Sequence, residues 1–164
     1  KYSPSEDGAD EVMLYTPGQP VPDRVDYARN RALMEDILVR TLAEIAAPDR
    51  RFVLIGGIPE VRWNVPKQRS AEILFGWPLP SPPSPGEVAL RQAASTAILD
   101  RVAAKTGSLH IPMAQSMCAE RCVLFSGSDM YYRDDDHLSA LGARVLALPV
   151  LATHWPALAP SAGN

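Results

Sequence analysis

From about Arg24 to Ala47, apolar positions return every three or four residues. Leu33, Ile37, Thr41 and Ile45 line one face, Met34, Leu38 and Leu42 widen it, and Arg29, Arg31, Glu35, Asp36 and Arg40 fill the other. This pattern predicts a helix, stopped by Pro48-Asp49. Phe52-Val53-Leu54-Ile55 is a short continuous apolar run ended by Gly56-Gly57. Such a run suits a buried parallel strand covered on both faces. The glycine pair reads as a tight turn, in preference to a backbone nest beside a ligand. Residues 58–86 read as a long loop, extended and proline-rich from Pro78 to Pro85. Its aromatics, Trp63, Phe75 and Trp77, are expected to pin the loop to the body rather than to stack on a sugar. Glu87 to Lys105 predicts a second helix, with Val88, Ile98, Leu99, Val102 and Ala103 inward and Gly107 as its stop. Ser108 to Met113 reads as a brief strand. Leu138 to about Leu148 predicts a third helix through Leu138, Leu141, Val145 and Leu148, which Pro149 ends or kinks. Residues 1–22, rich in Pro and Gly, read as an irregular entry with a short edge strand at Glu11 to Thr16, and residues 153–164 as a flexible tail. The alternation is that of an α/β fold. Two strands are too few for an independent sheet core, so the parallel sheet is expected to be incomplete within this chain.

The 164 residues amount to one domain, with a formal net charge of −3 and a pI near 5.6. No basic stripe with interleaved aromatics occurs, which argues against a nucleic-acid partner. No apolar run approaches the length of a membrane-spanning helix. No signal peptide is present, and a start at Lys1 is compatible with one already removed or with a fragment.

Candidate chemistry concentrates in Asp134-Asp135-Asp136-His137-Leu138-Ser139-Ala140-Leu141-Gly142-Ala143. A histidine three residues after a carboxylate can meet it across one turn. An imidazole whose ring N–H is held by a carboxylate is the base half of a nucleophilic hydrolase or acyltransferase site. Three aspartates before an apolar helix are also a plain N-terminal cap, and from this string by itself capping is the preferred reading. Asp134 orienting His137 is compatible with Asp135 or Asp136 serving the helix. Cys118 and Cys122 would close a small loop if oxidised, and spacing leaves free thiols open. A zinc site would need two further ligands, and neither His110 nor His154 forms a ligand pair by spacing. An acidic metal loop at Asp129 to Asp136 lacks the glycine and distal glutamate of a calcium-binding helix-loop-helix and ranks last.

The run Tyr131-Tyr132-Arg133-Asp134-Asp135-Asp136-His137-Leu138-Ser139 resembles the last block of SGNH hydrolases, Asp-x-x-His. The longer pattern resembles the periplasmic SGNH domain fused to membrane acyltransferases that O-acetylate bacterial surface polysaccharides. Its carriers are Cys118 and Cys122, the loop Phe125 to Met130, Tyr131, Asp134, His137, Leu138, Ser139, Gly142 and Ala143, with Ile58-Pro59-Glu60 upstream. The resemblance covers roughly residues 50 to 150. It implies a three-layer, flavodoxin-like SGNH fold around a parallel sheet. It implies His137 as general base and acid with Asp134 as its orienting partner, and a disulfide between Cys118 and Cys122. It also implies a periplasmic location, a carbohydrate acceptor, a fused membrane domain, and chemistry that needs no metal or bound cofactor. The departure is large, because no Gly-Asp-Ser block occurs. Ser126-Gly127-Ser128-Asp129 is the nearest string, and it lacks the strand-turn-helix setting of a nucleophile elbow. Residues 1–164 are therefore expected to be the C-terminal portion of one SGNH-like domain, inactive alone, partnered by an upstream segment carrying the serine. The rivals are a stand-alone carbohydrate esterase and a non-catalytic envelope module for binding or scaffolding.

Overall fold

Asp26 opens the first helix, α1 (Tyr27–Glu44), by accepting the N–H groups of Ala28 and Arg29 from extended backbone. This is a computed structural model, and it describes residues 26–118 and 120–158, with side chains to His154. The entry segment 1–22 and its edge strand lie outside the described residues. The chain divides into two compact units, residues 26–54 with 94–109, and residues 55–93 with 110–158. In the first unit, Glu35 on the charged face of α1 is the anchor. Arg101 Nε lies 2.6 Å and Lys105 Nζ 2.7 Å from its carboxylate, both on α3 (Pro85–Thr106). The hydrogen bonds from Lys105 and then Arg101 hold the Glu35 carboxyl below the usual range. No residue of α1 is fully buried, and Met34, Ile37 and Ile45 are exposed.

Strands β1 (Val53–Ile55) and β2 (Leu109–Ile111) form a two-stranded sheet. The Leu109 N–H donates to the Phe52 carbonyl at 3.0 Å and the Gly56 N–H to the Ile111 carbonyl at 2.9 Å. That slanted spacing belongs to a parallel pair. The architecture is α/β, as the alternation predicts. The expectation that β1 is covered on both faces is corrected: Phe52, Val53 and Leu54 are half-buried and Ile55 is 56% exposed. A neighbouring strand pairs along an edge and covers neither face, so β2 leaves the faces of β1 to other elements.

Gly56 and Gly57 make no tight turn, since neither takes a left-handed φ. They are glycines because of close approach. A Cβ on Gly56 would lie 3.2 Å from His110 Nε2 and the Ile111 carbonyl, and one on Gly57 3.2 Å from Gln92 Nε2. Gln92 is buried, and its Nε2 donates to the Ile58 carbonyl at 2.6 Å.

The predicted loop 58–86 is also corrected, because it contains α2 (Val65–Phe75). Asn64 caps it by accepting the Lys67 N–H, proline occupies the first turn, and Gly76 ends it at φ 68°. These start and stop signals are explicit in the sequence. The weak hydrophobic periodicity between them concealed the helix, because its apolar end faces solvent. Trp63 is packed in the core, as expected, whereas Phe75 and Trp77 are exposed.

After β2, a short helix α4 (Met113–Met117) leads to the Cys118–Cys122 disulfide, which is buried in the same cluster as Val61, Trp63 and Val65. Closing so short a loop constrains the unfolded chain modestly. Replacing both cysteines with alanine is expected to cost about 2 kcal/mol, read as a lowered midpoint in denaturant unfolding. The loop Phe125 to Met130 is a hairpin, β3 (Phe125–Ser126) antiparallel to β4 (Asp129–Met130), with Gly127 at φ 58° supplying the left-handed turn residue.

The third predicted helix starts later and runs further. It comprises α5 (Ala140–Gly142), a π-helical turn (Ala143–Ala147) and α6 (Leu148–Leu158), and so passes through Pro149. Proline has no N–H and its ring crowds the carbonyl four residues back. The π turn, in which the Leu148 N–H reaches the Ala143 carbonyl, absorbs this. It also rotates the helix face, so Val145 and Leu148, expected inward, are 42% and 56% exposed. The helix overlaps the start of the predicted tail, whose residues 159–164 lie outside the described residues.

Candidate active site

The Asp-x-x-His block is a closed loop in the second unit. Tyr132 and Leu138 form an antiparallel bridge, and the Arg133 N–H donates to the His137 carbonyl at 3.0 Å. Within the loop, Asp134 Oδ1 accepts the N–H of His137 at 2.7 Å and of Asp136 at 3.1 Å. Asp134 therefore caps its own turn. The expectation that Asp135 or Asp136 caps the following helix is corrected. Ser139 does so, accepting the Gly142 N–H on Oγ at 2.9 Å while that hydroxyl donates to the Met130 carbonyl at 2.7 Å.

The segment after β1 seats this loop. The Val61 N–H donates to the Asp135 carbonyl at 2.8 Å and the Val65 N–H to the Asp134 carbonyl at 3.2 Å. Tyr132 is 1% exposed, and its hydroxyl donates to the Pro59 carbonyl at 3.0 Å. Burial pushes that phenol upward, so it stays a neutral donor. Between these contacts Arg62 adopts φ 73°, a strained conformation for a residue with a Cβ. Around it Val61, Trp63 and Val65 are all buried.

These constraints place the His137 ring against carboxylates. Nδ1 lies 3.1 Å and 3.2 Å from the two oxygens of Asp134, and Asp136 Oδ1 comes to 2.6 Å. An ionised carboxylate only accepts, so Nδ1 carries the hydrogen and neutral His137 keeps its lone pair on Nε2. The ring is 57% exposed and open to a reactant. Burial raises the Asp134 carboxyl, but the backbone N–H groups of His137 and Asp136 and the His137 ring outweigh it and hold it below its ordinary 3.8. A depressed carboxylate stabilises the fold above its unfolded value and loses that contribution as pH falls through its folded value. The loop should therefore survive acidification to the ordinary carboxylate range and loosen only below it. The Asp134 carboxyl ¹³C titration in NMR is expected to have its midpoint below 3.8; a midpoint at or above that value would mean the two N–H bonds are absent.

Asp134, Asp136 and His137 offer ligand atoms within 4.8 Å of one another, a spacing that a metal ion could use. Asp129, placed in the sequence-level metal loop, sits apart in β4. Ser126 and Ser128 are exposed in the hairpin, not on an elbow between strand and helix. Sequence reasoning missed the second carboxylate, Asp136, although the aspartate string held the signal. It also missed the close approach at Gly142, where a Cβ would lie 2.7 Å from the Tyr131 carbonyl carbon.

The family described as SGNH domain (fused to AT3 domains) matches residues 7–151. Among solved structures, the periplasmic domain of a lipopolysaccharide acetyltransferase from Salmonella serovar Paratyphi A is similar, with a TM-score of 0.57 at 21% identity over 76% of this chain. The chain spans half the length of that domain, and the likeness is one of fold. No curated protein matches the chain. With the match running through the Asp134–His137 loop and the segment that seats it, the chain belongs to the SGNH domain family, in the branch fused to AT3 domains.

Proposed function

We propose that this chain is part of a serine-dependent O-acyltransferase or esterase domain that moves acetyl groups on cell-envelope polysaccharide, and that it supplies the histidine and aspartate of the catalytic triad. The observation that carries the reading is the pair of Asp134 oxygens on His137 Nδ1, which leaves Nε2 to take a proton. In this reading a serine from a segment outside these residues attacks the acyl carbonyl while Nε2 accepts its proton. The imidazolium then protonates the leaving oxygen, and the acyl group rests on the serine. A sugar hydroxyl, deprotonated by the same nitrogen, takes the acyl group and frees the serine; water in its place gives ester hydrolysis. Asp134 fixes the tautomer and balances the charge that forms. The family's fusion to AT3 domains supports a membrane acyltransferase partner and an extracytoplasmic location. Among the described residues no helix is long and apolar enough to cross a membrane.

The test is labelling of the full-length protein with a fluorophosphonate. A serine outside residues 1–164 should be labelled, and His137→Ala should abolish the labelling. Modification of Ser126 or Ser128 instead would overturn the reading. The 164-residue chain by itself is expected to hydrolyse aryl acetates no faster than its His137→Ala variant, because nucleophile and oxyanion donors are both lacking.

A further inference from the structure

Helix α2 links the His137 loop to an exposed aromatic pair. Its first residue, Val65, donates its N–H to the Asp134 carbonyl. Its last residue, Phe75, lies about 15 Å away along the axis, ten residues on. There the left-handed Gly76 turns the chain and brings Trp77 beside Phe75, with ring centroids 5.6 Å apart and planes tilted by 40°. Phe75 is 67% and Trp77 60% exposed, and Ile73 and Leu74, just before them in the chain, are exposed as well. Single exposed apolar residues are ordinary, but a contiguous aromatic patch on one unit marks a binding surface.

We propose that Phe75 and Trp77 form a carbohydrate-binding platform that holds a neutral stretch of the acceptor polysaccharide while a distant sugar reaches His137. This rests on the reading of the His137 site given above. Aromatic faces bind the apolar C–H faces of sugar rings, and an indole N–H adds a donor for a hydroxyl. From Ile73 to Gly86 there is no charged residue, which suits a neutral glycan. A platform one helix length from the reacting group suits a polymer and is of no use to a small ester.

The experiment uses the full-length protein in detergent on an array of neutral and anionic bacterial polysaccharides, with phosphatidylethanolamine–phosphatidylglycerol vesicles as a second surface. Retention on at least one neutral glycan is expected. Phe75→Ala and Trp77→Ala should each weaken it about ten-fold, the size of effect expected for a lost aromatic anchor. Leu90→Ala, which alters another exposed apolar residue of the same unit, should leave it unchanged. Retention confined to anionic glycans, retention indifferent to both aromatic substitutions, or aromatic substitutions that release the protein from vesicles but not from glycans would each overturn the platform. Aryl acetate turnover by His137→Ala separates the two readings. If turnover survives that substitution, the site reading fails; if turnover is lost but the aromatic substitutions do nothing to retention, only the platform fails.

Discussion

Replacing His137 with alanine in the full-length protein is expected to lower kcat for aryl acetate hydrolysis about 10³–10⁴-fold, with KM little changed. His137 would be the group that both removes the serine proton and returns a proton to the leaving oxygen, so its loss stalls both halves of the cycle. The effect belongs on kcat because the ring is needed where charge moves, not where the ester rests. Asp134→Asn should fall in the same direction by about 10²–10⁴-fold. An amide can offer its oxygen to Nδ1, but it cannot balance an imidazolium, and an inverted amide selects the other tautomer. Asp136, with its carboxylate at 2.6 Å from the same nitrogen, bears on how far Asp134→Asn falls. If it takes over part of the task, the loss sits at the low end of the range and deepens when Asp136→Asn is added. Steady-state kinetics of these variants would decide the matter. Turnover within ten-fold of wild type in His137→Ala would remove His137 from the chemistry.

The second large effect is on stability. Gly142→Ala is expected to cost about 3 kcal/mol, which for a domain of this size lowers Tm by roughly 6–12 °C. The added methyl would be driven into the Tyr131 backbone, 2.7 Å from its carbonyl carbon and 2.9 Å from its Cα. That backbone cannot step aside. The Tyr131 carbonyl accepts the Ser139 N–H at 2.9 Å, and the Tyr131 N–H donates to the Leu124 carbonyl at 3.0 Å. Tyr132 beside it is locked into the core. Glycine is therefore required here for space and not for its φ, which is an ordinary −60°. Ala143→Gly, one position on at an exposed site, is the control and should cost only about 1 kcal/mol. Thermal unfolding followed by circular dichroism reads both. Equal Tm values for Gly142→Ala and wild type would mean that Gly142 does not sit against the Tyr131 backbone.

The family was legible in local sequence because its signals are local. Asp134 and His137 are three residues apart, and the turn that joins them is closed by Asp134's own side chain. The cysteines are four residues apart and joined in a disulfide. Helices α1 and α3 announced themselves by periodicity and by Pro48 and Gly107 beyond their ends. Where the reading erred, a local rule was overridden or a signal was muted. Pro149 reads as a break, yet a π turn carries the helix through it and turns Val145 and Leu148 toward solvent. Gly56-Gly57 reads as a turn, yet packing against His110 and Gln92 is what leaves no room for a Cβ.

The sequence by itself determined the α/β order, the family, and the closeness in chain of Asp134 to His137 and of Cys118 to Cys122, because periodicity and short motifs are written in neighbouring residues; that each pair joins is seen only in the structure. Only the tertiary structure decided what holds the Asp134–His137 loop in place. The Val61 and Val65 N–H groups, the Pro59 carbonyl under Tyr132, and the Tyr131 backbone over Gly142 bring together residues far apart in the chain. Nothing in a one-dimensional pattern records which backbone groups will meet. A backbone N–H or carbonyl has no residue type of its own, and its partner is fixed only when burial requires every such group to find one.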